Sequence, residues 1–519
     1  CGGGFGGKLD LSVQTFLSIA AWKHKLPVRM VYDRKESMTA TTKRHPSRIM
    51  ARYGCDENGS LTSFFFDGDF NTGAYTSWGL TVKDRVPIHA SGPYYVPAIK
   101  AKSRATFSNE PVAGAFRGFG VPQAAIAHEA LIDELAEKTG QDPLEFRLKN
   151  AIRKGQETST GQVLKSVGLV KCLKSLRPGW QKARAEAVAF NAASSGPFRL
   201  GAGIGCMWYG CGNTSLSNPS SIRIGISANG RITLYSGAQD IGQGTNTTMV
   251  QAAADALGVP MSQIEIVWGD TDKTPDSGKS SASRQAYVSG NATKLAGENL
   301  RSQILRLANA GPDARLDVRN GRILVHDKET IHEIDLAALR NPESGDVLSG
   351  SGYFDPPTTS LDSNGQGEPY GTYGFAAQLA LVKVDCALGT VRVLRIEAAH
   401  DVGQTLNPIQ VEGQIEGGTA QGIGLALMEE YVPGKTENLH DYLIPTIGDI
   451  PSMKIFIIEN PEPSGPWGAK GIGEPALCAT APAIFGGIYQ ATGIRVREAP
   501  CTPDRLQAEL VQSGIYRSP

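Results

Sequence analysis

Residues 221–227 and 231–235 alternate apolar and polar side chains on either side of the turn Ala-Asn-Gly230, and this period of two about an Asn-Gly pair predicts a β-hairpin. The same pattern at 48–53 and 60–67, across Asp56-Glu-Asn-Gly59, predicts a second hairpin, and 375–399 predicts two strands about Ala387-Leu-Gly389. Residues 28–32 read as a further strand. Apolar spacings of three and four predict a helix over 12–22, with Val13, Phe16, Leu17 and Ala20 on one face. They predict others over 122–138, closed by Gly140, over 143–149, from Gly244 through Leu257, over 291–307, and over 406–427 after an initial turn. Strands and helices alternate irregularly, so the fold class is α+β with several mixed β-sheets rather than a doubly wound sheet. Residues 185–201, rich in Ala, Asn, Ser, Gly and Pro, predict an interdomain linker.

Composition narrows the function classes. The chain has 519 residues, long for one core, so two to four domains or lobes are expected. Its 51 basic residues balance 51 acidic ones, which gives no support to a nucleic-acid or anionic-membrane partner. The cysteines at 1, 55, 172, 206, 211, 386, 478 and 501 form no C-x-x-C pair, so zinc, iron-sulfur and disulfide frameworks are poorly supported and a reducing cytoplasm is expected. No apolar run reaches the length of a membrane helix and no signal peptide is visible. The sequence opens at Cys1 inside a glycine-rich motif, which reads as a fragment or one subunit of something larger.

Several loops carry candidate chemistry. Cys-Gly-Gly-Gly-Phe-Gly-Gly-Lys8 matches G-x-G-x-x-G and the start of a phosphate-binding P-loop, but Leu9 stands where a magnesium-holding Ser or Thr is needed. A nucleotide-binding module is therefore a remote alternative. Lys43-Arg44-His45-Pro46 is a basic corner, and Arg117 sits among glycines and aromatics in Gly114-Ala-Phe-Arg-Gly-Phe-Gly120, where a fixed guanidinium can hold an anion or a polar cofactor. Gln243 stands near a helix N-terminus, and Lys279-Ser-Ser-Ala-Ser-Arg-Gln285 is a second polar loop; such loops present donors to a phosphate or a pterin edge, or simply cap their helices. In Trp467-Gly-Ala-Lys-Gly-Ile-Gly-Glu-Pro-Ala476 one carboxylate, Glu474, stands among small residues and ahead of a stiffening proline. Its apolar neighbours Ile472, Ala476 and Leu477 would desolvate that carboxylate and suit it to general base work, while a solvated surface loop is the plainer alternative.

Taken together, Gly-Gly-Phe-Gly-Gly-Lys8, Ala-Phe-Arg-Gly-Phe-Gly120, Gly-Gln-Gly244, Ser-Ala-Ser-Arg-Gln285, Val-Glu-Gly-Gln414 with Ala-Gln-Gly422, and Gly-Ile-Gly-Glu-Pro475 resemble the molybdenum-binding portion of the xanthine dehydrogenase/aldehyde oxidase family. The resemblance spans nearly the whole chain and starts inside the family's first molybdopterin-binding domain. It implies residues 1–190 as the C-terminal part of that domain and 191–519 as a second molybdopterin-binding domain, with the cofactor at their interface. It also implies a molybdopterin, with the cytosine dinucleotide among its forms, whose dithiolene holds molybdenum with no protein side chain on the metal. Glu474 would then take the proton from a molybdenum-bound hydroxide, the oxygen that attacks an electrophilic substrate carbon. Phe5, Gly6, Arg117, Gly242, Gln243, Gly244, Ser281, Ala282, Ser283 and Gln421 carry over as cofactor-pocket residues, and Arg44, Phe119 and Leu9 as substrate-pocket positions. Xanthine-oxidising members commonly carry Glu where this chain has Leu9, whereas some aldehyde-oxidising members lack the arginine kept here as Arg44. A purine-like or other aromatic N-heterocycle is therefore the leading substrate class, and an aldehyde the alternative. With no cluster or flavin fingerprint of its own, the chain is expected to pass electrons to [2Fe-2S] and FAD domains or subunits in a hetero-oligomer. A non-catalytic structural or assembly subunit, keeping the cofactor pocket without turnover, is the third reading.

Overall fold

The computed structural model describes residues 2–339 and 345–515; Cys1 lies outside them. The chain begins with α1 (Gln14–His24), α2 (Arg34–Ala40), β1 (Ser47–Cys55), β2 (Leu61–Gly73), α3 (Gly79–His89), β3 (Ala98–Phe107), α4 (Val121–Lys138), α5 (Pro143–Asn150) and α6 (Leu169–Ala193). It continues with β4 (Phe198–Gly210), β5 (Ser220–Ser227), β6 (Ile232–Ser236), α7 (Thr245–Leu257), β7 (Ile264–Trp268), α8 (Gly290–Leu307), β8 (Arg315–Arg319), β9 (Arg322–Asp327), β10 (Thr330–Asp335) and β11 (Asp346–Phe354). It ends with β12 (Tyr373–Asp385), β13 (Thr390–Gly403), α9 (Pro408–Leu427), β14 (Ser452–Glu459), α10 (Pro475–Cys478), α11 (Thr480–Thr492) and α12 (Pro503–Gln512).

Among the described residues these strands form four sheets, ordered β1-β2-β3, β10-β9-β8, β11-β5-β6-β7 and β14-β13-β12-β4. Three of them mix parallel and antiparallel neighbours, since β2–β3, β6–β7 and β13–β14 run parallel. This is the α+β architecture with mixed sheets that the patterning predicts, and each expected hairpin is present.

The sheet β14-β13-β12-β4 is buried on both faces. Phe375, Ala377, Leu379 and Leu381 face the core shared with β2, α4 and α6, while Ala380, Val382 and Val384 face α9, α11 and α12. The alternation of strand side chains makes this division automatic. On β4 the same alternation brings Gly201, Gly203 and Gly205 under α11, where a Cβ on Gly203 would lie 2.1 Å from the Ala483 carbonyl oxygen. Helix and strand thus pack backbone to backbone and antiparallel, Gly201 against Gly487, Gly203 against Ala483 and Gly205 against Ala479. Further along in the same direction, Tyr209, near the end of β4, meets Glu474, just before α10.

A second tie holds α4 and α5 to the same strand. Glu129 accepts from Tyr94 Oη at 2.5 Å and from the Cys206 amide at 2.8 Å, and Arg147 bridges Glu129 and Asp133 in full burial. Nothing in the local pattern announces this network.

Three expectations need correction. Residues 185–193 continue α6 and 198–201 open β4, so the stretch read as a linker is mostly helix and strand; its alanines favour helix over coil. Residues 28–32 pair with no strand among the described residues. The apolar face expected on the first helix does exist as a helix, yet α1 buries no residue, and Phe16 stays 65% exposed.

No helix among the described residues is long and apolar enough to cross a membrane.

Candidate active site

A cavity of about 540 Å³ opens where six loops converge, at 3–9, 115–119, 241–243, 279–286, 402–414 and 469–474. Four non-glycine residues on its wall take left-handed backbone, namely Phe5 (φ 51°), Phe119 (φ 49°), Ala282 (φ 55°) and Ser283 (φ 54°). Such conformations cost on the order of 1–3 kcal/mol each and persist only where the surroundings enforce them, which they do chiefly at functional sites.

Glu474 stands on this wall, partly buried. Its Oε2 accepts from Tyr209 Oη at 2.5 Å and from Ser283 Oγ at 3.4 Å, and its own amide donates to Ser283 Oγ at 2.9 Å. Glycine is needed close by, because a Cβ on Gly471 would stand 1.8 Å from the Ser283 carbonyl oxygen. Four residues before the carboxylate, Lys470 pairs with Asp401 at 2.6 Å, both side chains fully buried. A charge pair this deep is secured by its partners, so it pins the Glu474 loop to the end of β13.

Arg117 closes the site from the other side. Its Nε donates to the Gly473 carbonyl at 2.5 Å, Nη1 to Gln421 Oε1 at 3.2 Å, and Nη2 to the backbone and side-chain oxygens of Gln414 at 3.0 and 3.1 Å. Burial pulls its pKa down to about 10, with Glu474 acting against that shift, so it remains a cation at neutral pH. One guanidinium thereby ties the glycine-rich arginine loop, α9 and the base loop together. Phe5 joins the same knot, its carbonyl accepting from the Arg117 amide at 2.6 Å.

Aromatic and apolar groups line part of the cavity: Phe119 and Trp78 meet edge to face with ring centroids 6.4 Å apart, and Leu9 is also a lining residue. The side-chain amides of Gln243, Gln404, Asn407, Gln410 and Gln414 line it too.

The family model described as a molybdopterin cofactor-binding domain matches residues 1–151, and a second model of that description matches 174–451. The chain is 32% identical over 538 residues to the xanthine dehydrogenase molybdenum-binding subunit of Escherichia coli O157:H7, covering 99% of this chain and 69% of that subunit. The chain belongs to the xanthine dehydrogenase/aldehyde oxidase family. Its backbone superposes with a TM-score of 0.89 on the aldehyde oxidoreductase of Desulfovibrio gigas, at 32% identity over 98% of this chain and 54% of that one. With quinoline 2-oxidoreductase of Pseudomonas putida 86 the TM-score is 0.84 at 27% identity, over 98% of this chain and 68% of that one. The chain thus spans about half the length of the aldehyde oxidoreductase and about two thirds of the other two.

The cavity suits the molybdopterin that these family members hold. The side-chain amides on its wall offer donors and acceptors to a polar heterocycle and a phosphorylated tail, and the Thr405 hydroxyl oxygen on that wall is buried with no hydrogen bond among the described residues, as expected of a group kept for a ligand. Among the described residues no group of three or more His, Cys, Asp or Glu side chains is gathered as a metal site.

Most residues that the sequence singles out lie on this wall: Phe5, Gly6, Leu9, Arg117, Phe119, Gly242, Gln243, Ser281, Ala282, Ser283 and Glu474. Gly244 does not; with φ 86° it is the N-cap of α7 and packs against Gln410. Gln421 acts from behind, through Arg117. Arg44 stands next to this wall. It does not line the cavity: its guanidinium stacks on Phe116 at 4.3 Å and donates to the Arg117 carbonyl at 2.9 Å. The cation that stands on the wall beside Phe119 is Arg85 of α3, its guanidinium 5.6 Å from that ring. Neither Arg85 nor Tyr209 is found by sequence reasoning; the nearest signal is the glycine-flanked run Tyr209-Gly-Cys-Gly212 after a buried strand. The ammonium of Lys8 donates to the Gly3 carbonyl at 2.6 Å and α1 starts only at Gln14, so the P-loop geometry of a lysine opening a helix is not formed.

Proposed function

We propose that this chain is the molybdenum-binding part of a hydroxylase that inserts water-derived oxygen at an electrophilic carbon of a purine-like or other aromatic N-heterocycle. The observation that carries this reading is the placement of one carboxylate, Glu474, on the wall of a cavity that Phe119 and Trp78 also line. A flat electron-poor ring can lie against an aromatic face, and a carboxylate on the same wall can act as general base.

When bound, the molybdenum cofactor supplies the water-derived oxygen and accepts two electrons. The amides of Gln243, Gln404, Gln410 and Gln414 would hold its polar parts, with the dinucleotide form with cytosine among the forms proposed. Arg117 keeps the base loop fixed against α9 so that Glu474 meets the reacting centre in one orientation. Glu474 takes the proton at Oε1, since Oε2 is already engaged by Tyr209 and Ser283. Leu9 and the aromatic pair add apolar surface to the cavity wall. Electrons then leave to iron-sulfur and flavin partners.

Leu9 also supports a second reading, aldehyde oxidation to the acid, because an apolar group offers a purine edge no hydrogen bond. A substrate screen on the intact complex separates the two. Turnover of hypoxanthine or quinoline, with aldehydes slower, supports the heterocycle; aldehydes alone support the alternative; and a protein purified without molybdenum or releasable pterin refutes both.

A further inference from the structure

Resting on the reading of Glu474 as the base, we propose that Tyr209 is a positioning residue for its carboxylate, and that Arg85 fixes Tyr209 for that task. The Tyr209 hydroxyl donates to Glu474 Oε2 at 2.5 Å, and Ser283 Oγ donates to the same oxygen at 3.4 Å. Two donors on one oxygen set the rotation of the carboxylate, and Oε1 has no hydrogen bond among the described residues. The proton acceptor is thereby chosen: Oε2 is the anchored atom and Oε1 the working one.

Tyr209 is itself held from three sides. The guanidinium of Arg85, 2% exposed, lies 4.6 Å from its ring centre and donates to the carbonyls of Gly210 at 3.1 Å and Gly212 at 2.5 Å, the residues just after Tyr209. One turn along α3, the His89 ring lies 5.8 Å from the Tyr209 ring, accepts at Nε2 from the Gly210 amide at 3.0 Å and donates from Nδ1 to the Arg85 carbonyl at 2.9 Å. Burial, aided by the Arg85 charge, lowers the His89 pKa to about 3, so this pattern of donors holds at any working pH. Burial keeps Tyr209 protonated well above its ordinary range, with Arg85 opposing and Glu474 reinforcing, so its hydroxyl donates throughout.

The other charged or titratable groups within electrostatic reach of Glu474 are the guanidiniums of Arg44 and Arg117, and Tyr370 and Cys478, which burial keeps neutral. Against this fixed background, the donor on Oε2 is what a single substitution can remove. A hydrogen bond to the charged form favours that form, so its loss makes the carboxyl protonate at higher pH.

Tyr209→Phe keeps the ring between Arg85 and His89 and deletes only the donor. In the loaded complex the acid limb of kcat/KM should move up by about one pH unit, and kcat on the plateau should fall about tenfold, with KM changed less than about twofold. A rise in KM with an unmoved acid limb would overturn the proposal, since Tyr209 would then only contact substrate. A second readout needs no turnover: the 13C carboxyl resonance of Glu474 in the full chain without cofactor, identified by its loss in Glu474→Gln. Its titration midpoint should rise by about the same unit in Tyr209→Phe, and an unchanged midpoint refutes the coupling. If Tyr209→Phe does not fold, Arg85→Lys carries the test, since it keeps the charge that also acts on Glu474 and loses the paired donors to Gly210 and Gly212; a smaller upward shift is expected and no shift refutes it. Should Glu474→Gln keep its activity, the catalytic reading fails, while the resonance still decides whether Tyr209 holds the carboxylate.

Discussion

Glutamine at position 474 would keep the shape that Tyr209 Oη and Ser283 Oγ recognise and lose only the capacity to take a proton. General base help is worth on the order of a hundredfold to ten-thousandfold, so Glu474→Gln should lower kcat by more than about a hundredfold. Molybdenum and pterin content should stay at the level of the unchanged protein, which metal analysis checks; activity near the original would remove Glu474 from its role. At this scale the sequence exposes residues that sit in glycine-rich loops ahead of helices, because such loops carry their own local signature. Arg117, Ser283 and Glu474 are of that kind. Arg85 and Tyr209 are not, since an arginine within a helix and a tyrosine closing a strand look ordinary until the fold brings α3, β4 and the base loop together. Arg44 is conspicuous in sequence as part of a basic corner, while its contacts, the Phe116 ring and the Arg117 carbonyl, are a matter of packing that no local pattern encodes.

Elements were legible where one physical signal dominated. The hairpins β1-β2 and β5-β6 each turn at a glycine with positive φ, Gly59 and Gly230, so alternation and turn chemistry agree. Residues 28–32 have the alternation without a partner strand among the described residues, and 185–193 have a loop-like composition in the last turns of a helix where only Ala187 is buried and the alanines favour helix. The packing of α11 on β4 was hidden for a different reason: glycines at 201, 203 and 205 read as flexibility, whereas their function is to let two backbones touch. Gly203→Val tests this. Its side chain would have to enter space held by the Ala483 carbonyl and the Gly487 amide, at 2.1 and 2.2 Å from the first added carbon. Backbone cannot yield as a flexible side chain does, so a loss of at least about 3 kcal/mol is expected, read as a lower urea midpoint. An unchanged midpoint would mean that helix and strand separate freely. Activity should suffer with stability, because the same contact aligns Tyr209 with Glu474.

For the molecule as a whole, buried imidazoles set the response to acid. Burial lowers the pKa of His45 to about 4 and of His89, His128 and His400 to about 3. Unfolded, each would protonate near 6.5, so between about pH 6.5 and 4 the unfolded chain binds protons that the fold refuses, and stability present above 6.5 is lost as the pH falls. The buried carboxyls of Asp133, Asp401 and Glu429, shifted upward by burial, act in the opposite sense but are fewer. Each imidazole contributes about 1.4 kcal/mol of loss one unit below 6.5, so the urea midpoint should drop clearly between pH 7 and 5.5, and a rise would refute the account. The same whole-chain view bears on electrons. Turnover of the proposed kind leaves two electrons to be removed, and burial raises the pKa of Cys172, Cys206, Cys211, Cys386, Cys478 and Cys501. Cluster irons need several thiolates gathered together, and among the described residues no three Cys, His, Asp or Glu side chains gather as a metal site. A partner domain or subunit with iron-sulfur clusters is therefore expected, with a flavin beyond it. Affinity purification of the native complex through this chain should yield a coloured preparation with iron-sulfur absorption that bleaches on adding substrate. A colourless preparation that still turns over with its physiological acceptor would show that the electrons leave by another route.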